Sequence, residues 1–125
     1  MTGGYDMAKP TLNSPNSALG RWGEDLAAAE YQRRGYAVID RNWRCPDGEI
    51  DLVMRRADMI VFCEVKTRRS DVFGTAAMAV DQRKQVRVRR LGAAWLAAHG
   101  ERRVDVRFDV AAIDGVRLEI IEAAF

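Results

Sequence analysis

A chain of 125 residues with a formal net charge of +2 suits a single domain, large enough to bury roughly two-thirds of the surface its unfolded form exposes. Apolar residues make up 48% and charged residues 30%, an ordinary soluble globular mixture. So small a net charge excludes a global field drawing the chain onto nucleic acid, and any such affinity has to come from local clustering.

The two cysteines, Cys45 and Cys63, form neither a disulfide framework nor a metal-binding spacing. Met1-Thr2-Gly3-Gly4 lacks the charged and apolar regions of an export signal, and the sequence has no long apolar run. The expected setting is a reducing cytoplasm, away from membranes.

Residues 1–17 carry Gly, Pro, Asn and Ser with little apolar periodicity, and read as a disordered tail ahead of one domain over 18–125. A helix is expected from Ser17, whose hydroxyl suits a cap, to Arg34, with Gly35 as its stop. Leu19, Trp22, Leu26 and Ala29 give it an apolar stripe. Gly20, Gly23, Ala27 and Ala28, with Glu24 among them, form a second face small enough to lie close against a sheet. Three strands follow over 36–43, 49–55 and 59–67, broken at Cys45-Pro46-Asp47-Gly48 and at Ala57-Asp58. Residues 70–75 read as a loop. A second helix runs from Asp81, as a cap, to Ala98, with Val88, Leu91, Trp95 and Ala98 as its stripe and Gly100 past its end. Strands over 104–113 and 116–122 close the chain around an Asp114-Gly115 turn. The order αβββαββ makes this an α/β chain with a mixed central β-sheet flanked by helices.

Charge sits inside two of these strands. Glu49 and Asp51 interrupt the run Gly48–Val53, and Glu64 and Lys66 end the run that starts at Val61. Burying such groups is costly unless they are paired or hold a metal. Alternate residues of a strand share a face, so Glu64 and Lys66 point the same way. A two-residue tip at Ala57-Asp58 sets Asp51 opposite Glu64 and Glu49 opposite Lys66, all on one side of the sheet. Facing carboxylates repel, which calls for a cation between them. With no thiolate or imidazole in the cluster, a hard oxygen-preferring ion such as Mg²⁺ or Mn²⁺ fits. Cleavage of a phosphodiester is the chemistry such a site suits. A Glu-x-Lys pair by itself equally suits an ion pair on an exposed strand. Ile50, Leu52, Val53, Phe62 and Val65 instead suit a strand covered on both faces.

The Gly48–Val53 run followed by Phe62-Cys63-Glu64-Val65-Lys66-Thr67-Arg68 resembles the restriction-endonuclease-like superfamily, with its Asp and Glu-x-Lys on adjacent strands. Gly20-Arg21-Trp22-Gly23-Glu24, Gly35-Tyr36, Arg41-Asn42-Trp43-Arg44 and Arg107-Phe108-Asp109-Val110 extend the likeness. Together these motifs resemble the YraN family of small bacterial predicted nucleases, over about residues 18–114. The layout is also similar to that of archaeal Holliday-junction resolvases. Ile50 stands where many superfamily members have proline, which removes no ligand. The resemblance implies a restriction-endonuclease-like fold in which Asp51, Glu64 and the Val65 carbonyl hold the metal. It implies that Glu24 binds a second metal or a metal-bound water. Lys66 would orient or help deprotonate the attacking water and stabilise the transition state. Glu49 is expected to restrain Lys66 through a salt bridge, with direct ligation as the alternative.

Arg83, Lys84, Arg87, Arg89 and Arg90 cluster on the second helix, and Arg83, Arg87 and Arg90 recur on one face with Lys84 beside them. Contact with a phosphate backbone is the functional reading, and a solvated face the bland one. Cations near a helix N-terminus oppose its dipole, which favours a purpose other than stability. Arg68 and Arg69 would flank the same edge. His99, the only histidine, suits a helix C-terminus better than catalysis; Trp22, Trp43 and Trp95 suit core positions; Asp109 suits a structural hydrogen bond.

The expected function is a Mg²⁺- or Mn²⁺-dependent endonuclease acting on DNA rather than RNA, in branched, repair or recombination intermediates. The alternatives are a non-catalytic nucleic-acid-binding accessory protein on the same fold, and an adaptor whose acids are merely ion-paired. A junction-cutting enzyme would need two active sites, hence a homodimer, though no interface is legible.

Overall fold

The computed structural model describes residues 18–68 and 82–125. The expected tail over 1–17, the Ser17 cap, Arg69, the loop over 70–75 and the Asp81 cap lie outside the described residues, as does the side chain of Arg68. The elements are α1 (Ala18–Arg33), β1 (Ala37–Cys45), β2 (Gly48–Arg56), β3 (Met59–Arg68), α2 (Gln82–Ala98), β4 (Asp105–Asp114) and β5 (Arg117–Ile121). The strands form one sheet in the order β1-β2-β3-β4-β5. Neighbours are antiparallel except β3 and β4, which run parallel across the connection that contains α2.

The helices cover opposite faces. Ala27, Ala28 and Tyr31 of α1 pack with Leu52, Met54, Val61, Cys63 and Ala111. Val88, Leu91 and Trp95 of α2 pack with Ile50, Val53, Ile60, Phe62 and Phe108. This is the mixed sheet flanked by helices that the pattern of elements predicts. No helix among the described residues is long and apolar enough to cross a membrane.

Local chemistry explains the element ends. Gly35, at φ 92°, donates to Gln32 O, and Tyr36 N–H reaches back to Tyr31 O, each at 3.0 Å. That pair of bonds closes α1 in the left-handed motif glycine favours. The β2–β3 tip falls at Ala57-Asp58 as expected, between paired Arg56 and Met59. The last turn is Gly115-Val116, one residue later than Asp114-Gly115, because Gly115 at φ 63° takes the left-handed first position of a two-residue turn.

Of the two faces expected of α1, the small-residue face is the one that docks on the sheet, and the apolar stripe through Trp22 and Ala29 is not. Gly23, Glu24, Ala27, Ala28 and Tyr31 are buried, while Trp22 is 40% exposed and Ala29 is exposed. Side-chain size decides this: the small residues let the helix backbone approach the sheet, which the larger Leu19 and Trp22 would prevent. Trp22 is therefore no core residue, whereas Trp95 is buried and Trp43 half-buried. A Cβ placed on Gly23 would overlap Thr67 Oγ1 and stand 3.3 Å from Ile113 Cδ1. Gly23→Ala is expected to cost about 1–3 kcal/mol by urea unfolding, since this overlap outweighs alanine's better helix propensity.

Asp109 is fully buried and fully served. Its carboxylate accepts from Tyr31 Oη at 2.6 Å, from Arg107 Nε and Nη2 at 2.9 Å each, and from Ala123 N–H at 3.0 Å. This matches the structural hydrogen bonding expected of it, and its donors bring α1, β4 and the chain's C-terminal residues together.

Candidate functional site

The β2–β3 ladder keeps the expected register from Arg56↔Met59 to Leu52↔Cys63, and its paired residues end there. Just beyond, the Asp51 carboxylate intervenes: its Oδ2 accepts the Val65 N–H at 2.8 Å. Strand alternation also breaks at Asp51. Ile50 packs on the α2 side, but Leu52, two residues on, packs on the α1 side. Across on β1, between the pairs Arg41↔Leu52 and Trp43↔Ile50, Asn42 adopts φ 52°. The two irregularities lie side by side, next to the point where β2 and β3 part.

The ladder ends before both expected pairs; Asp51 and Glu64 still meet by charge, but Glu49 and Lys66 do not pair. Glu49 is not the salt-bridge partner of Lys66; it lies opposite Arg44 of β1 and pairs with it at 3.4 Å. Lys66 Nζ instead lies 3.5 Å from Glu64 Oε2. The facing of Glu49 and Lys66 assumed a ladder that continues past Leu52, and the strands part before reaching them.

Four carboxylates share the opening electrostatically. Burial, then the charge of Glu64, pushes Asp51 up to about 8 against the Val65 hydrogen bond, with Glu24 and Glu49 adding smaller repulsions. Burial also raises Glu24 and Glu49 above the usual carboxylate range. Glu24, only 3% exposed, accepts Asn42 Nδ2 on Oε2 at 3.0 Å. Its Oε1 is buried without a hydrogen bond, Arg41 Nη2 standing off at 3.7 Å, and Glu49 Oε2 is buried and unsatisfied as well.

Buried carboxylate oxygens without donors, in a group that repels itself, fit a hard divalent cation by donor chemistry. Among the described residues no three Asp, Glu, His or Cys side chains are grouped so that they could hold a metal ion together. The arrangement is therefore a carboxylate pair, Asp51 with Glu64, backed by Glu24 and Glu49.

Two lysines face these acids. Burial, then Lys84, holds Lys66 below the usual lysine range. Lys84, expected among the outward cations of the second helix, instead turns inward and places Nζ 2.9 Å from Glu64 Oε2. Burial works against its charge, but Glu64 and hydrogen bonds to Lys66 and Glu64 hold it above the usual range. Arg83, Arg87 and Arg90 are exposed along α2. Arg89 is exposed too, its guanidinium 5.3 Å from the Phe108 ring centre. His99 stacks on Trp95 at 4.0 Å, with Nδ1 2.8 Å from Trp95 O, as a helix-terminal residue. Sequence reasoning gave no role to Asn42 and Arg41, which hold Glu24; the run Arg41-Asn42-Trp43-Arg44 was the available signal.

Comparison with known proteins supplies the family. The model described as "Uncharacterised protein family UPF0102" matches residues 23–113, a span that contains Glu24, Asp51, Glu64, Lys66 and Lys84. A UPF0102 protein of Frankia alni is 50% identical over 113 residues, covering 86% of this chain and 94% of the relative. A UPF0102 protein of Streptomyces griseus is 58% identical over 83 residues, covering 66% and 70%. One from Geobacter sulfurreducens is 46% identical over 115 residues, covering 88% and 90%. The chain belongs to the UPF0102 family.

Proposed function

We propose that this protein is a nuclease of the YraN type, within the restriction-endonuclease-like class, that hydrolyses phosphodiester bonds of DNA in branched or repair intermediates. The observation that carries the reading is the opening between β2 and β3. There Asp51, Glu64 and buried Glu24 share one electrostatic environment, and Lys66 reaches Glu64.

A Mg²⁺ or Mn²⁺ ion held by Asp51, Glu64 and the Val65 carbonyl would lower the pKa of its bound water and neutralise charge on the phosphoryl oxygens. Asp51 is fixed for this role by the Val65 N–H, which locks one oxygen and orients the other. Asn42 does the same for Glu24, leaving Oε1 for a second ion or a water. Lys66 Nζ, held low by burial, can accept a proton from the attacking water or, as ammonium, stabilise charge developing on the phosphate. Arg83, Arg87 and Arg90 supply phosphate contacts along α2. A cytoplasmic setting, and a homodimer bringing two sites to a junction, belong to the same reading.

Glu64→Ala and Lys66→Ala are each expected to abolish hydrolysis of branched DNA by the purified protein. Activity surviving in both would overturn the mechanism. Replacing Arg83, Arg87 and Arg90 with alanine should weaken binding by fluorescence anisotropy. It should also flatten the dependence of log K on log salt by about 0.9 per lost phosphate contact. DNA binding that survives loss of the acids, with no cleavage by the wild type, would instead mark an accessory binding protein.

A further inference from the structure

Two ammonium groups converge on one carboxylate oxygen. Lys84 Nζ lies 2.9 Å from Glu64 Oε2 and Lys66 Nζ lies 3.5 Å from the same atom. They reach it from different elements, Lys66 from β3 and Lys84 from the first turn of α2. Lys84 is 22% exposed and Glu64 17%, so the pair is partly withdrawn from water.

An ammonium there offsets the repulsion between Glu64 and Asp51. It also occupies Glu64, a carboxylate that would hold the metal. A divalent ion at Glu64 is repelled by two ammonium groups beside it, which favours displacing the more mobile of the two. Lys66 is held by its strand beside Glu64. Lys84 has an alternative, because a flexible four-carbon stem carries it on the helix whose exposed Arg83 and Arg87 form the proposed phosphate track. A backbone phosphate laid on that track gives its ammonium a new anionic partner.

Resting on the nuclease reading above, we propose that Lys84 is an active-site residue that exchanges partners. It occupies Glu64 in the free protein and moves to a phosphate oxygen of bound nucleic acid, which opens Glu64 to the metal. Metal and nucleic acid are thereby coupled, each tightening the other by the same factor. The device keeps the free protein poorly loaded with metal until substrate arrives.

The test follows free Mn²⁺ by electron paramagnetic resonance, with wild type, Lys84→Met and Lys84→Arg as full-length chains, alone and with a short duplex DNA. Duplex DNA is expected to raise wild-type Mn²⁺ affinity about tenfold, within the usual range of such couplings. Lys84→Met alone should bind Mn²⁺ about as tightly as the wild type with DNA, and gain little more when DNA is added. Lys84→Arg, keeping the charge, should retain the coupling. Should Lys84→Met fail to fold, Lys84→Gln is read the same way. Equal Mn²⁺ affinity and equal gain from DNA in wild type and Lys84→Met would make Lys84 a structural ion pair and overturn the coupling while leaving the nuclease reading intact. Weaker binding by Lys84→Met would overturn it as well. No Mn²⁺ binding by any chain, with or without DNA, would overturn the nuclease reading itself and the coupling with it.

Discussion

Asp51→Asn is expected to move activity and stability in opposite directions, lowering hydrolysis about a thousandfold while raising the Tm of the metal-free protein. Asparagine keeps the shape of the side chain and an oxygen to accept the Val65 N–H, so the opening between the strands survives. It removes a carboxylate that burial and Glu64 push up to about 8. At neutral pH the unfolded chain ionises Asp51 freely and the folded one does so at a cost, so the neutral substitute relieves the folded state. For a domain of this size, each kcal/mol relieved raises Tm by about 4 °C. A residue placed only for stability would show the reverse: a lower Tm, with activity following the fraction folded. Thermal unfolding in chelator, beside a cleavage assay with Mn²⁺, separates the two.

The second large effect is on pH. The folded, metal-free protein holds a proton on Asp51 that the unfolded chain releases near the ordinary value of 3.8. The stability from that proton is therefore complete below 3.8 and lost as pH rises toward about 8. A metal needs the carboxylate and must displace the same proton, so metal affinity changes in the opposite sense. Mn²⁺ binding should strengthen up to about tenfold per pH unit below pH 8 and flatten above it. Titrations at pH 6, 7 and 8 in two buffers of different ionisation enthalpy would detect both the slope and the proton released. Asp51→Asn should lose most of the slope. Wild-type affinity independent of pH over this range would mean that Asp51 does not ligate.

Much of this was legible from residue type and spacing. Asp51, Glu64 and Lys66 stood out because charge interrupts apolar strand runs. The tip at Ala57-Asp58 set the right register as far as Leu52↔Cys63. What failed was extrapolation. Carrying the ladder past Leu52 gave Glu49 to Lys66, whereas the strands part at Asp51 and Glu49 finds Arg44 on the other neighbour. Beside the parting, on β1, Asn42 takes a left-handed conformation, and period-2 alternation encodes neither feature. On α1 the small-residue face was legible and docks on the sheet, but the apolar stripe that includes Trp22 and Ala29 was misread as buried. Hydrophobic stripes report transfer from water, but α1 docks by closeness, through Gly23, Ala27 and Ala28. Lys84 was seen as a cation but not placed, because helical spacing fixes its angle around α2 and not its distance from β3.

The central claim is that the opening between β2 and β3 is a divalent-metal site, and the most direct measurement is calorimetric titration of Mn²⁺. Wild type and the Asp51→Asn/Glu64→Gln double variant should be compared at pH 8, each alone and with branched DNA. The account predicts binding by the wild type, tighter with DNA, and none by the folded double variant. Equal binding by both proteins, or none by the wild type even with DNA present, would contradict it.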